Sequence, residues 1–195
     1  MVIDGLILAG GRSRRFGADK RIEPFDGVGM AARAYAKLAG VVDGTIFVAT
    51  GTRRETLPGL ERAVAIVDEA PNRGPLGGLA AALLRSRDGV LVVACDVPNL
   101  RRSTLERIAR AARSGDRAVA LRGPQGWEPL VAWYPRSALQ TVRLALRSSR
   151  PAPFLVLERL GALALPVTDA SEFINVNTRS DLAAASAARR GGGPA

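Results

Sequence analysis

Histidine is absent from this 195-residue chain, and cysteine occurs once, as Cys95. Without histidine the chain cannot build a Ser-His-Asp triad, a zinc site with imidazole ligands or a histidine general base. A single cysteine cannot form a disulfide within the chain, and no histidine is present to activate it as a nucleophile. We therefore expect Cys95 to be a small buried residue and the chemistry to depend on other side chains.

Long apolar runs are also missing, since no stretch approaches the roughly 18 consecutive apolar residues of a membrane span. Apolar residues make up 47% of the chain and charged residues 24%, close to globular averages. The first residues, MVID, carry no basic segment ahead of an apolar one, so nothing marks them for secretion. We expect a cytoplasmic protein without membrane contact, with one domain over residues 1–188 and a flexible tail over 189–195.

Lysine is nearly absent too, because 26 of the 28 basic residues are arginine, and the formal net charge is +10. Such a balance is compatible with nucleic acid, an anionic membrane or a phosphorylated substrate as the partner. The cations are spread along the chain, and aromatic residues make up only 5% of it, which leaves few rings on which bases can stack. We therefore do not expect nucleic acid to be the main partner.

Short apolar segments alternate with segments rich in helix-forming residues along most of the chain. The pattern predicts strands over 3–9, 45–50, 63–67, 90–94, 118–121 and 130–134, and an edge strand over 162–167. It predicts helices over 30–38, 76–87, 103–114 and 180–188, and a further helix that begins at residue 135. Because the strands at 5–9 and 90–94 are continuously apolar, we expect a three-layer α/β/α fold with a mostly parallel central sheet.

Two local patterns make sharper predictions about the helices. Ser103 and Glu106 have the spacing of a capping box, so we expect Ser103 to cap the helix over 103–114. In the helix after residue 135, four cations fall along one face, which we interpret as a solvated surface: Arg136, Arg143, Arg147 and Arg150.

The loop after the first strand is the first candidate for function, because ligands of parallel sheets bind at the carboxyl ends of strands. Residues 8–20 read LAGGRSRRFGADK. The glycines allow backbone N–H groups to close around an anion and the cations neutralise it, so a polyphosphate is the natural ligand. Gly17 and Lys20 do not have the spacing of a Walker loop. A flexible basic loop without a ligand is the alternative.

Lys20 and Asp96 are the side chains in these loops with the clearest chemical meaning. Lys20 stands out in an arginine-rich chain, because an ammonium is a compact point charge that a planar guanidinium cannot replace. Asp96 lies in the segment CDVP at 95–98, directly after the apolar strand at 90–94. A carboxylate there suits a Mg²⁺ ion that bridges substrate phosphates, and an Asx turn is the alternative.

Four segments together resemble one known family. Residues 8–20 resemble the pattern LAGGxSxRMGxDK of the MobA family, the molybdenum cofactor guanylyltransferases, within the sugar-nucleotidyltransferase-like superfamily, with Phe16 in place of the methionine. Three further segments agree in order and spacing: Asp68 with GPLGGL at 74–79, CDVP at 95–98, and FINVNT at 173–178 with Asp181 and Leu182. The resemblance spans nearly the whole chain, and the NVNT segment is its most particular part.

The resemblance implies a Rossmann-like nucleotidyltransferase fold and a reaction. In that reaction GMP moves from Mg-bound GTP to the phosphate of molybdopterin carrying molybdenum, and pyrophosphate is released. The implied ligands are therefore GTP and molybdopterin, with Mg²⁺ as the cofactor. Molybdoenzymes or other proteins of cofactor biosynthesis are possible protein partners on the same basis.

The resemblance also implies roles for individual residues. For guanine and ribose it implies backbone contacts from Leu8, Ala9, Gly10 and Gly11, and for the nucleoside a contact from Asp68. The catalytic set that it implies is Arg15 and Lys20 on the phosphates and Asp96 on Mg²⁺, with Arg12 also on the triphosphate. For Asn175 and Asn177 the resemblance implies contacts with the pterin phosphate. Residues two apart in an extended segment point to the same side, so both amides can face one ligand.

Three segments differ from the family pattern, and one of them is GVGM at 27–30. Ala49 and its neighbours stand where a nucleotide-contacting asparagine is usual, and Glu128 adds a negative charge near a site for anions. These differences leave open a cytidylyltransferase, or another nucleotidyltransferase that uses a small phosphorylated acceptor. A GTP-binding adaptor without catalysis is a third hypothesis, and the presence of both Lys20 and Asp96 argues against it.

Overall fold

The computed structural model describes residues 1–10, 16 and 19–191, with the backbone alone for residues 190 and 191. Its strands are β1 (Asp4–Leu8), β2 (Pro24–Phe25), β3 (Val28–Gly29), β4 (Ile46–Ala49), β5 (Val64–Ile66), β6 (Gly89–Ala94), β7 (Val119–Gly123), β8 (Gly126–Pro135) and β9 (Leu163–Pro166). Its α-helices are α1 (Met30–Ala39), α2 (Pro75–Arg85), α3 (Arg102–Arg113), α4 (Leu139–Leu146), α5 (Pro153–Arg159) and α6 (Arg179–Gly191). Short 3₁₀ turns lie at Arg136–Ala138 and Ala170–Phe173.

The main sheet has seven strands in the order β5-β4-β1-β6-β8-β7-β9. Parallel pairing joins β5 to β4, β4 to β1, β1 to β6 and β7 to β9. Strand β8 runs antiparallel to both of its neighbours, β6 and β7, because a tight turn joins it directly to β7. The predicted mostly parallel sheet is confirmed, and so is the edge position of β9.

Helices cover both faces of this sheet, because its strands bury side chains on both sides. Successive strand residues alternate between two cores. Leu6 and Val92 pack with residues of α2, α4 and α5, whereas Ile7 and Val93 pack with residues of α1 and α3. The predicted three-layer arrangement is therefore confirmed. No helix within residues 1–10, 16 and 19–191 is long and apolar enough to cross a membrane.

The N-terminus of α3 does not have the predicted capping box. The helix begins one residue before Ser103, and no side-chain hydrogen bond from its own N-cap residue closes it. Instead the buried carboxylate of Glu172 accepts the Arg101 N–H at 2.9 Å and the Thr104 hydroxyl at 2.7 Å. A negative charge suits a helix N-terminus. The prediction for Ser103 and Glu106 is wrong because a residue from a distant segment occupies the cap.

The region after residue 135 contains two helices rather than one. A 3₁₀ turn leads into α4, and after a short connection Pro153 opens α5 at its first position, where the missing N–H of proline costs nothing. The sequence pattern missed α5, which has only seven residues. Val142 and Leu146 of α4 are buried as the periodicity predicted.

The arginines of this region are not a uniform solvated face. Arg136 donates to the carbonyl of Ser86, and Arg143 makes a two-pronged ion pair with Glu69. Arg136 is nevertheless exposed and the Arg143 side chain is 34% exposed, so both lie at the surface as predicted, while their guanidinium groups also have protein partners. Arg147 and Arg150 are exposed, in agreement with the same prediction.

A third, smaller core joins segments from opposite ends of the sequence. Phe16, Phe25 and Met30 pack there with Val176 and Ala185. Hairpin β2–β3 and the start of α1 therefore lie against the segment after residue 173 and against α6. Helix α6 runs past the predicted end at residue 188 as far as residue 191, and residues 192–195 lie outside the described part of the chain.

Candidate functional site

A cavity of about 650 Å³ opens at the carboxyl ends of β1, β4 and β6. This is the edge at which parallel sheets bind ligands, and the volume lies within the range of small-molecule sites. The cavity is bordered by the two strand-following segments that the sequence singled out, together with the loop between β5 and α2. The geometry therefore supports one extended small-molecule site.

The end of β1 contributes part of the cavity wall through its backbone. Leu8 and Gly10 line the cavity. Ala9 is buried, and its N–H donates to the carbonyl of Ala49 at 2.9 Å, so this amide is already used by the sheet. Three other predicted site residues lie outside the described part of the chain: Gly11, Arg12 and Arg15.

Asp68 lines the opposite wall, directly after β5. Burial raises the pKa of its carboxyl group, and the backbone of Gly51 lowers that pKa only in part. A Cβ at Gly78 would lie 3.2 Å from Oδ1 of Asp68 and 2.7 Å from the Cβ of Ala49. Gly78 therefore leaves room for Ala49 and for the Asp68 carboxylate beside α2.

Asp96 and Lys20 form an ion pair at the end of β6, with Nζ of Lys20 at 3.0 Å from Oδ2 of Asp96. The same ammonium donates to Oδ1 of Asn177 at 2.9 Å and lies 3.4 Å from the carbonyl of Val176. The backbone carbonyl of Asp96 in turn accepts the Val176 N–H at 2.8 Å. Three segments that are far apart in sequence thus converge on one charged cluster.

The asparagine segment is held in place by the start of α6. The carboxylate of Asp181 accepts the N–H groups of Asn177 at 2.9 Å and Thr178 at 2.8 Å, and the Thr178 hydroxyl accepts the Asp181 N–H at 3.1 Å. These hydrogen bonds form a capping box and lower the pKa of Asp181, the Asn177 bond having the largest effect. Asn175 and Asn177 are both exposed on either side of buried Val176, as the prediction of a shared side requires.

The sequence analysis did not single out several residues that line the cavity. Thr50 and Thr52 follow β4 and line the cavity. Only their position after a predicted strand could have indicated this from the sequence. Asn72 has a φ of 62°, a left-handed conformation that asparagine tolerates better than most residues. Leu130 lines the cavity because β8 runs antiparallel to β6 with Val131 opposite Val93, which brings Leu130 to the carboxyl end of β6, and no local sequence pattern indicates that register.

Cys95 and Glu128 were discussed above for their chemistry. Cys95 lines the cavity, and burial raises the pKa of its thiol to about 12, so it remains protonated and is not a nucleophile. Glu128 is half-buried in β8, where burial raises the pKa of its carboxyl group, and it does not line the cavity.

A divalent cation fits this site if a substrate supplies most of the ligands. No group of three or more cysteine or acidic residues within the described ranges is arranged to hold a metal alone. Mg²⁺ in nucleotide enzymes is commonly bound by one or two carboxylates, with phosphates and water completing the octahedron. Asp96 is partly exposed to the cavity and meets that requirement.

The fold and the cavity define an α/β protein with a small-molecule site at the carboxyl edge of its sheet, and comparison with known proteins identifies the family. Residues 5–162 match the MobA-like NTP transferase domain, and the chain belongs to that family. The molybdenum cofactor guanylyltransferase of Pseudomonas fluorescens is 31% identical over 177 residues, covering 89% of this chain and 88% of the relative.

Solved structures support the same fold. Molybdopterin-guanine dinucleotide biosynthesis protein A from Archaeoglobus fulgidus superposes with a TM-score of 0.76 at 24% identity, over 97% of this chain and 100% of that one. Rv0371c from Mycobacterium tuberculosis, in complex with manganese, superposes with a TM-score of 0.67 at 17% identity, over 96% of this chain and 99% of that one.

Proposed function

We propose that the protein transfers GMP from GTP to the phosphate of molybdopterin carrying molybdenum and releases pyrophosphate. The observation that carries this proposal is the cluster of Lys20 and Asp96, which line the cavity, with Asn177, which accepts a hydrogen bond from Lys20. It joins a carboxylate suited to a metal ion, a compact cation and a neutral amide at one point. The proposal also rests on the similarity of this chain to the molybdenum cofactor guanylyltransferase of Pseudomonas fluorescens.

The nucleoside end of GTP would occupy the part of the cavity near Asp68. A carboxylate has two acceptor oxygens, which suit the adjacent N1–H and N2–H donors of guanine. Adenine and cytosine do not present two adjacent donors on that edge. The half-buried position of Asp68 strengthens such hydrogen bonds, because the local dielectric is lower than that of water. Backbone groups of Leu8 and Gly10 are available beside it.

The reaction needs positioning and charge neutralisation more than a strong base. A phosphate oxygen of the acceptor forms a bond to the α-phosphorus of GTP, and the bond from that phosphorus to the bridging oxygen of the β-phosphate breaks. The electron pair of that bond leaves with pyrophosphate. Lys20 would exchange its contact with Asp96 for the phosphates, and its ammonium would stabilise the charge that develops on them.

Asp96 would hold Mg²⁺ together with the phosphates of GTP. When bound, the ion neutralises phosphate charge and orients the α-phosphate for attack. Asn175 and Asn177 would bind the acceptor phosphate, because amide groups donate hydrogen bonds without adding a charge that competes for the metal. The contact between Asn177 and Lys20 supports a position for the acceptor next to the transferring phosphate.

The direct experiment incubates purified protein with molybdopterin and each nucleoside triphosphate in Mg²⁺ and measures pyrophosphate release. We expect release with GTP only. Release with CTP instead would indicate a cytidylyltransferase, and nucleotide binding without release would indicate an adaptor. In the same assay Lys20→Arg is expected to be nearly as inactive as Lys20→Ala, since several oxygen acceptors surround one small ammonium.

A further inference from the structure

The loop from residue 67 to residue 74 forms the Asp68 side of the cavity. Asp68, Asn72 and Gly74 line the cavity, and Asn72 and Gly74 have left-handed φ values of 62° and 72°. No residue from 67 to 75 is classed as buried, so the loop has little apolar packing of its own. Sparsely populated backbone conformations persist only where surrounding contacts hold them. Backbone hydrogen bonds hold Asp68 to Gly51 and Glu69 to Gly77, so the rest of the loop depends on its turn and on side-chain contacts with neighbouring elements.

Arg73 attaches one end of the loop to the C-terminus of α4. Its Nη2 donates to the carbonyl of Leu146 at 2.7 Å and its Nε donates to the same oxygen at 3.2 Å. The guanidinium also donates to the carbonyl of Ser148. The last carbonyls of a helix lack partners within the helix and carry partial negative charge, so a cation is a suitable partner.

Arg143 attaches the other end of the loop to the same helix. Its Nε lies 2.6 Å from Oε1 of Glu69 and its Nη2 lies 3.1 Å from Oε2, so the two planar groups meet fork to fork. Bidentate pairs of this kind fix orientation as well as distance. The side chains are 34% and 30% exposed, so the pair adds little to global stability, and its main effect is on geometry.

We infer that Arg73 and Arg143 are positioning residues for base selection, acting together through the loop that carries Asp68. The two arginines fix the loop at positions 69 and 73 against α4, on either side of the segment that contains Asn72. Neither needs to touch the nucleotide. Because the inference rests on the proposed function, it concerns discrimination among bases and leaves the phosphate chemistry at Lys20 and Asp96 unaffected.

The experiment measures binding of GTP, ITP and inorganic tripolyphosphate to Arg73→Ala and Arg143→Gln by titration calorimetry in Mg²⁺. ITP lacks the N2 amino group of guanine, so the ratio of GTP to ITP affinity reports on base recognition. We expect that ratio to fall about tenfold, because small misplacements of binding groups have effects of this order or larger. Tripolyphosphate affinity and kcat at saturating GTP are expected to stay at wild-type values.

Two controls separate positioning from loss of charge or loss of fold. Arg147→Gln removes the same charge from an exposed residue next to α4. We expect it to change neither the ratio of GTP to ITP affinity nor the affinity for tripolyphosphate. The double variant Arg143→Glu with Glu69→Arg restores the ion pair in reverse and should recover at least part of the selectivity. Amide exchange in the free protein should be faster at residues 69–73 in the arginine variants than in the Arg147→Gln control.

The outcomes distinguish this inference from the proposed function. If both arginine variants keep the wild-type ratio of GTP to ITP affinity and the wild-type rate of amide exchange at residues 69–73, the inference is overturned and the proposed guanylyl transfer is unaffected. Equal losses of tripolyphosphate and GTP affinity would also overturn it, because the effect would then be a general one on charge or folding. Wild-type protein that binds no nucleoside triphosphate would overturn the proposed function and this inference together.

Discussion

Aspartates lie at both edges of the parallel part of the sheet, but their surroundings differ. At the edge where the strands begin, Asp4 is 5% exposed and accepts the backbone N–H groups of Thr45 at 2.6 Å and Arg87 at 2.9 Å. Asp43 and Asp88 similarly accept the N–H groups of residues 3 and 2. At this edge carboxylates join loops to one another through the backbone.

At the edge where the strands end, the carboxylates have fewer partners. Asp68 accepts a hydrogen bond from the backbone of Gly51 and none from a side chain in the described part of the protein, and the side chain of Asp96 pairs with Lys20. The pKa values differ accordingly. Burial raises the pKa of Asp68, whereas at Asp43 the bonds from Ile3 and Arg113 outweigh burial and hold the pKa below its usual range.

The comparison shows how the same side chain serves stability at one edge and a ligand at the other. A carboxylate whose acceptor oxygens are filled by backbone N–H groups stabilises the fold and has no capacity for a substrate. A carboxylate left partly unfilled in a cavity destabilises the fold slightly and keeps its oxygens for a base or a metal. Substitutions at the two edges should therefore affect different measurements.

Asp96→Asn is expected to have the largest effect on activity. A neutral amide binds Mg²⁺ poorly, so guanylyl transfer should fall at least about a hundredfold, with little change in the melting temperature. Pyrophosphate release and thermal unfolding measure the two properties. Asp88→Asn, at the opposite edge, is the matched control and should keep wild-type kcat. Normal Mg²⁺-dependent turnover of Asp96→Asn would contradict the assignment of this carboxylate.

Asp4→Asn should have the reverse pattern. An amide offers one acceptor oxygen where the carboxylate offers two, so one of the N–H groups of Thr45 and Arg87 loses its partner. We expect a loss of about 2 kcal/mol in the free energy of unfolding and normal kcat for the folded protein. Urea denaturation measures the loss, with exposed Asp116→Asn as the control. A stable but inactive Asp4→Asn protein would break the contrast between the edges.

Asp68→Asn tests whether the partly unfilled carboxylate selects the base. GTP affinity should fall about tenfold and ATP affinity should change little, since only guanine presents two adjacent donors. Wild-type GTP affinity should also decline as the pH falls toward the raised pKa of Asp68, because protonation removes an acceptor. Calorimetric titrations at several pH values measure both effects. An equal decline in ATP affinity would indicate a general role in the cavity wall.

Lys37 contacts the segment that follows β6 from within the fold, and its substitution is expected to have the smallest effect on activity. Its ammonium donates to the carbonyl of Pro98 at 2.8 Å, and burial, with smaller contributions from Arg33 and Arg189, lowers its pKa to about 7, while Glu172 opposes the shift. The unfolded chain, with an ordinary lysine pKa of about 10.4, binds more protons between about pH 7 and pH 10, so stability should rise with pH in that window.

Lys37→Met should remove this rise. Melting temperatures measured from pH 6.5 to pH 10 should show the variant gaining relative stability at the low end, by up to several kcal/mol for a pKa lowered from about 10.4 to about 7, and the difference should shrink toward pH 10. Activity per folded molecule should change little. A pH profile of stability that is identical in the two proteins would show that Lys37 is not a buried group with a lowered pKa.

Much of the architecture followed from local sequence patterns. The alternation of apolar strands with helix-forming segments predicted the three layers and the mostly parallel sheet, because burial on both faces requires continuously apolar strands. The same order placed Asp68 and Asp96 at strand ends, and therefore at one edge of the sheet. The glycines of residues 8–20 predicted a phosphate-binding loop, and this stays a prediction because residues 11–15 lie outside the described part of the chain.

Other features depended on contacts between segments that are distant in the sequence. Glu172 replaced the predicted cap of α3, and Lys20 met Asn177 through a small core built from both ends of the chain. The attachment of the Asp68 loop to α4 by Arg73 and Arg143 is of the same kind. Periodicity and spacing describe neighbours along the chain, whereas these hydrogen bonds form only after the sheet and helices have packed. Sequence alone thus determined the layers and the strand-end residues, and tertiary structure decided which of the polar side chains have partners.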